Sequence, residues 1–357
     1  MTRISRRSFL AGTLAAAAPL QARAARMIND SAGRSVTLPD KVARVMAAGP
    51  PASVVLYCLA PDRLVGWQRM PRPEEKPYLL PFVRDLPEIG RLTGRGDTAN
   101  LEVVIKARPD LIVDFGSVTP TYVSLANATQ ERSGIPYALI DGRFNATPAA
   151  LRLLADMLDV PARGEALARY TEDLFQRVDT TIARTPDARR PGVYLARGAL
   201  GLETALRGSI NAEIVERAGG RNVADAQDSR RGIANVSPEQ LLLWKPDVIV
   251  TWDRNFFRMV TREPDEVWRS LPAVINKRVY LAPTVPFGWI DGPPSVNRLL
   301  GLAWLASVLP ESRFAFDIRN GARAFYKLFY QVDLSDQELE TLVAWADGQP
   351  PHALVRP

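Results

Sequence analysis

One histidine and one cysteine set the outer limit of the chemistry open to this 357-residue chain. With His352 the only imidazole, a site holding bare zinc or manganese through several histidines cannot be built. Ser-His-Asp and Cys-His catalytic sets fall with it. Cys58, the only thiol, has no partner for an internal disulfide. No carboxylate pair stands out as the acid and base of a glycosidase. Gly94-Arg95-Gly96 and Gly198-Ala199-Leu200-Gly201 complete neither a dinucleotide nor a Walker fingerprint. What remains is recognition. Arginine offers a planar fork to carboxylates, catecholates and oxyanions, and aromatic side chains can wall a pocket for a flat or greasy ligand.

The elements that must position such residues are β-branched runs separated by helical patterns. Val42–Ala48, Leu111–Phe115, Tyr137–Ile140, Val193–Ala196, Val248–Trp252 and Val279–Leu281 read as buried strands. Helical patterns at Leu101–Lys106, Pro148–Leu158 and Gln240–Trp244 alternate with them, which predicts an α/β fold with parallel-rich sheets. An internal repeat divides the chain. Asn100-Leu101-Glu102 leads through a helix to Arg108-Pro109-Asp110 and a strand; Ser237-Pro238-Glu239 leads likewise to Lys245-Pro246-Asp247. The glutamate stands seven residues before the Pro-Asp pair in both, so two lobes of related architecture are expected. Between them Ala162–Arg184 carries apolar residues at helical spacing, about 34 Å of helix that we expect to join the lobes. The expected division is an N-terminal lobe at 25–160, the interlobe helix at 161–186, a C-terminal lobe at 187–347 and a tail at 348–357.

Open α/β sheets bind ligands beyond the carboxyl ends of their strands. The segments so placed are Pro50-Pro51, Ser117-Val118 and Gly142-Arg143 in the first lobe, and Arg197-Gly198, Trp252-Asp253 and Thr284–Trp289 in the second. Arg143 and Arg197 could therefore grip an anionic ligand from opposite sides, with Arg207 a weaker candidate. Phe287 and Trp289 could form an aromatic platform, and Trp252, Tyr122 and Trp67 could also face the cleft. Each has a structural alternative. A single arginine is commonly a solvated charge, the 287–294 aromatics could pack inward, and Asp291 and Ser295 could cap the helix that follows. Trp304 reads as core.

The N-terminus predicts export. Arg3, Arg6 and Arg7 precede an apolar run, Phe9–Leu20, and Ala22-Arg23-Ala24 offers a cleavage site. Ser5-Arg6-Arg7-Ser8-Phe9-Leu10 is similar to the twin-arginine motif. Residues 1–24 are thus expected to be a signal peptide, leaving a soluble periplasmic protein. Without their four arginines the formal charge falls from +6 to +2, dispersed along the chain, which leaves little basis for nucleic-acid binding.

The two Glu-to-Pro-Asp blocks, Leu86-Pro87-Glu88-Ile89-Gly90 and Ala218-Gly219-Gly220-Arg221-Asn222-Val223-Ala224 together resemble the periplasmic substrate-binding proteins for siderophores, haem and cobalamin. The resemblance runs from about Val42 to about Val343. It implies two α/β lobes joined by a single long interlobe helix, and a non-enzymatic binding component of an ABC importer. It also implies that Glu102 and Glu239 dock onto the inner-membrane ABC permease, though each could instead cap its own helix. An iron-siderophore or similar small-molecule metal chelate is the expected ligand, with haem, a corrinoid or a molybdate-like oxyanion as alternatives. No cofactor is expected, and the protein is expected to be a monomer. A ligand sensor without transport, or an exported redox enzyme, are the competing functions.

Overall fold

The computed structural model describes residues 26–94, 101–225 and 232–346. The expected signal peptide, Asn100, and the tail with His352 lie outside them. The chain enters through an antiparallel hairpin of β1 (Arg26–Asn29) and β2 (Ser35–Leu38). The first lobe is then built on β3 (Val45–Ala47), β4 (Leu111–Gly116) and β5 (Tyr137–Asp141), parallel and in that order. The second lobe contains β6 (Gly192–Ala196), β7 (Glu203–Ala205), β8 (Arg221–Asn222), β9 (Ile233–Asn235), β10 (Val248–Thr251) and β11 (Val279–Leu281). Its parallel sheet has the order β11-β10-β6-β8, while β7 and β9 form an antiparallel pair. β6 and β10 are buried along their whole length, so they show apolar runs rather than alternation.

Five helices matter for the site: α1 (Pro50–Leu59), α2 (Leu101–Ala107), α3 (Pro161–Ile182), α4 (Pro238–Trp244) and α5 (Arg298–Val308). The long helix α3 starts at Pro161, whose missing N–H costs nothing in a first turn. It buries Leu167, Leu174, Phe175 and Val178 in one hydrophobic cluster that also takes in Val113 of β4 and Val250 of β10. The lobes thus share a core, and α3 is packed into it rather than exposed as a tether.

The repeat has a common physical cause. After α2 and α4 the backbone turns left-handed at a non-glycine residue, Arg108 at φ 45° and Lys245 at φ 46°. The aspartate then fastens the incoming strand to its neighbour. Asp110 Oδ2 accepts from the backbone N–H groups of Ala43 and Arg44 at 2.8 Å. Asp247 Oδ2 accepts from Gly192 N–H at 2.7 Å. In both lobes the carboxylate sets the register of the central strand against the first.

The Gly-Gly-x-Asn segment is structural as well. Gly219 adopts φ 89°, a region that glycine enters without strain. Asn222 is fully buried, donates to Ala205 carbonyl at 2.9 Å and accepts from Ala224 N–H at 3.0 Å, tying β8 to β7. Replacing Asp247 by Ala leaves Gly192 N–H without its acceptor. Chemical denaturation should show a loss of about 1–2 kcal/mol, and a smaller loss for Asp110→Ala, whose bonds lie in a more exposed place.

Candidate functional site

The carboxyl ends of the two sheets face a cleft of about 810 Å³. On the first-lobe side its wall includes Pro50 and Pro51 at the start of α1, Ser117 after β4, and Tyr122. On the other side it includes Arg197 after β6, Asn211, Pro286 and Phe287. Prolines at the first two positions of α1 remove the N–H groups that would otherwise receive an anion there.

Of the residues expected at the cleft, Arg197, Phe287, Tyr122 and Trp67 line it. Trp67 and Phe287 also touch each other, with ring centroids 6.2 Å apart, and both pack on Tyr57. Trp67 donates its indole N–H to Val83 carbonyl at 2.7 Å, so it is a fixed part of the wall. The other three stand elsewhere. Trp289 is 1 % exposed and sits in the core, where its carbonyl lies so close to Gly301 of α5 that a Cβ there would collide with it. Phe287 and Trp289 therefore do not make a joint platform. Trp252 stacks under the Arg197 guanidinium at 5.1 Å and is outside the lining. Arg143 points to solvent, outside the lining, because its guanidinium folds back onto Asp141 two residues before it, at 2.6 Å. Arg207 is held by Asn222 carbonyl and Asp225, outside the cleft. Neither Asp291 nor Ser295 caps α5 with its side chain. Asp291 binds Arg197, and the Ser295 hydroxyl donates to Pro51 carbonyl at 2.7 Å. Trp304 is buried, as expected.

Arg197 is not free to grip an anion. Its guanidinium already pairs with Asp291 in a short contact and with Glu203 at 3.0 Å, and Asn211 Nδ2 donates to Asp291 at 3.0 Å. Arg69 is engaged in the same way, with both terminal nitrogens on Glu75 at 2.8 and 2.7 Å. Among the described residues the cleft wall carries three arginines (69, 91 and 197) and four carboxylates (Glu75, Glu88, Asp114 and Asp291). It is not a basic pocket.

Sequence reasoning missed Arg69, Arg91, Asn211 and Asp114. The first two lie in the long connection after α1, where only Trp67 and the Ile89-Gly90 segment gave a signal. Asp114 lies inside the apolar run of β4, where an acidic residue is itself a signal.

Asp114 is 5 % exposed and lines the cleft. Its carboxylate accepts from the Thr93 hydroxyl at 3.2 Å and the Tyr137 hydroxyl at 3.4 Å. Burial pushes its pKa up to about 6, against the smaller opposing effect of these hydroxyls and the Phe115 N–H. The walls on either side are pinned by Arg298 of α5, itself fully buried. It donates to Gly142 carbonyl in the first lobe at 3.1 Å and to Ile210 carbonyl in the second at 2.5 Å. Phe144 N–H adds a second bridge, donating to Glu213 at 2.7 Å.

One in each lobe, Glu102 and Glu239 are the second residues of α2 and α4, and both are exposed. Ser237 caps α4, its hydroxyl accepting from Gln240 N–H at 3.3 Å, and the same hydroxyl holds the Glu239 carboxyl below its usual range.

A family profile described as periplasmic binding protein matches residues 45–286. The solved structure of an ABC transporter solute-binding protein from Sulfurospirillum deleyianum superposes with a TM-score of 0.80 at 31% identity, covering 89% of this chain and 98% of that one. The molybdate-binding protein MolA of Haemophilus influenzae is 25% identical over 91% of this chain and 97% of its own. The haem uptake protein IsdE of Staphylococcus aureus is 24% identical over 61% of this chain and 75% of its own.

The buried carboxylate of Asp114 has a cost that can be measured. A folded-state pKa above the unfolded value means that the fold favours the protonated form, so its stability falls as pH rises from about 4 to about 6. Asp114→Asn should therefore be more stable than the parent by about 1–3 kcal/mol at pH 7, the gain vanishing near pH 4. Urea titrations at both values test this; equal stability at both would deny the carboxylate its cost.

Proposed function

The chain belongs to the periplasmic binding protein family, and from that premise we propose that it captures a preassembled metal chelate, such as an iron-siderophore, in the periplasm and delivers it to an ABC permease. The observation that carries the choice of ligand is the cleft itself. Its volume is in the range of pockets that enclose whole organic ligands. Its wall pairs two of its arginines with carboxylates and offers aromatic and proline surface between them. A compact dianion would meet a wall with more negative than positive groups. A neutral or positively charged chelate would bury apolar surface against Trp67, Phe287 and the prolines without that penalty.

A second reading, capture of a molybdate-like oxyanion, is favoured by the nearly full-length similarity to the molybdate-binding relative. It requires the Arg197–Asp291 and Arg69–Glu75 pairs to open, or Asp114 to take up a proton. Export by the twin-arginine route is part of the same reading and rests on Ser5-Arg6-Arg7-Ser8-Phe9-Leu10, outside the described residues.

For delivery, Glu102 and Glu239 are the docking residues of this reading, one on each lobe and each on a short exposed helix. Glu102→Lys with Glu239→Lys should bind ligand as the parent does, because neither residue lines the cleft. Uptake through the cognate importer should fall at least tenfold, since like charges would face the permease. Undiminished uptake by a folded double variant would leave both residues as helix-end carboxylates and nothing more.

A further inference from the structure

We propose that Asp114 is the specificity-determining residue of the cleft: it accepts a hydrogen bond from a protonated nitrogen on the captured chelate, and selects complexes that carry positive charge away from the metal. This rests on the chelate reading and names the chemistry that reading leaves open.

The four cleft carboxylates are not equivalent. Glu75 is held by Arg69 and Arg72, and Asp291 by Arg197 and Asn211. Glu88 is exposed to water and accepts from Met70 N–H. Asp114 is the buried one to which no cationic side chain is paired among the described residues. An ionised carboxylate has about four lone-pair sites. Thr93 and Tyr137 address one oxygen each, at long range, and both are neutral.

The neutral donors Thr93, Tyr137 and the Phe115 N–H offset only part of the cost of burial, yet the group stays largely charged at neutral pH. A fold gains nothing from such a residue. A ligand that supplies the missing positive partner removes the penalty, and an anionic end presented to the same place would increase it. A bound metal ion is a poorer occupant, because no cluster of three or more His, Cys, Asp or Glu side chains surrounds the position among the described residues. Thr93, which donates to Asp114, is itself held close against Gly49, where a Cβ would lie 2.6 Å from the Thr93 hydroxyl.

The test compares two ferric trihydroxamates of nearly equal size, ferrioxamine B with its free ammonium group and the N-acetylated compound that lacks the charge. Binding to the full mature protein is followed by isothermal titration calorimetry at pH 7.5, with molybdate as a third probe. The parent should bind the ammonium form about tenfold more tightly or better. Asp114→Asn should fold normally and lose that preference, and Asp114→Glu should keep part of it. Equal binding of both chelates by the parent, or an unchanged preference in Asp114→Asn, overturns the assignment while leaving the chelate reading in place. Binding of neither chelate overturns both.

Discussion

A single buried guanidinium holds the cleft together. Arg298 is 1 % exposed and, among the described residues, has no carboxylate in hydrogen-bond contact; its nitrogens are spent on the carbonyls of Ser295, Ile210 and Gly142, and its plane lies over Phe144 at 4.8 Å. Burial pulls its pKa down to about 10, which still leaves it charged. Isolating a charge in this way is expensive unless every donor is used, so the carbonyl partners must stay where they are. Two of them belong to different lobes. Gly142 is fixed further by its approach to Gly116, where a Cβ would lie 2.8 Å from the backbone. The ends of β4 and β5, the start of α5 and the segment before Asn211 are thereby set relative to one another, and of these Gly116 and Ile210 line the cleft.

The shared core reinforces the same geometry. Tyr57 of α1 donates to Tyr330 carbonyl at 2.8 Å, and Arg163 of α3 reaches Cys58 and Phe329 carbonyls. Tyr57, Trp67, Phe287 and Tyr330 meet edge to face or tilted, with centroids 5.5–6.2 Å apart. The cleft is therefore a preformed space over an aromatic floor. Preformed walls reduce the ordering cost of capture.

Much of this was legible from residue types. Buried parallel strands announce themselves as β-branched runs, and the six expected ones all form. The repeat was visible because one backbone problem, fastening a central strand to its neighbour after a left-handed turn, was solved twice with Pro-Asp. The site was legible in outline only. The rule that ligands lie beyond strand ends selected Arg197 and Phe287, but it also selected Arg143 and Trp252. Whether a side chain at a strand end faces inward depends on the next few backbone dihedrals and on partners far along the chain. Arg197 illustrates the limit: its sequence neighbours give no sign that Asp291, 94 residues away, neutralises it. Asp114 was overlooked for the opposite reason, being counted as one more position in a strand.

Native mass spectrometry of the protein isolated from its own cells distinguishes a cleft that carries a metal inside an organic ligand from one that does not. The expected spectrum is the mass of the mature chain plus one intact organic complex with its metal, released together on unfolding. A protein carrying one small inorganic oxyanion, or a metal with no organic part, would contradict it.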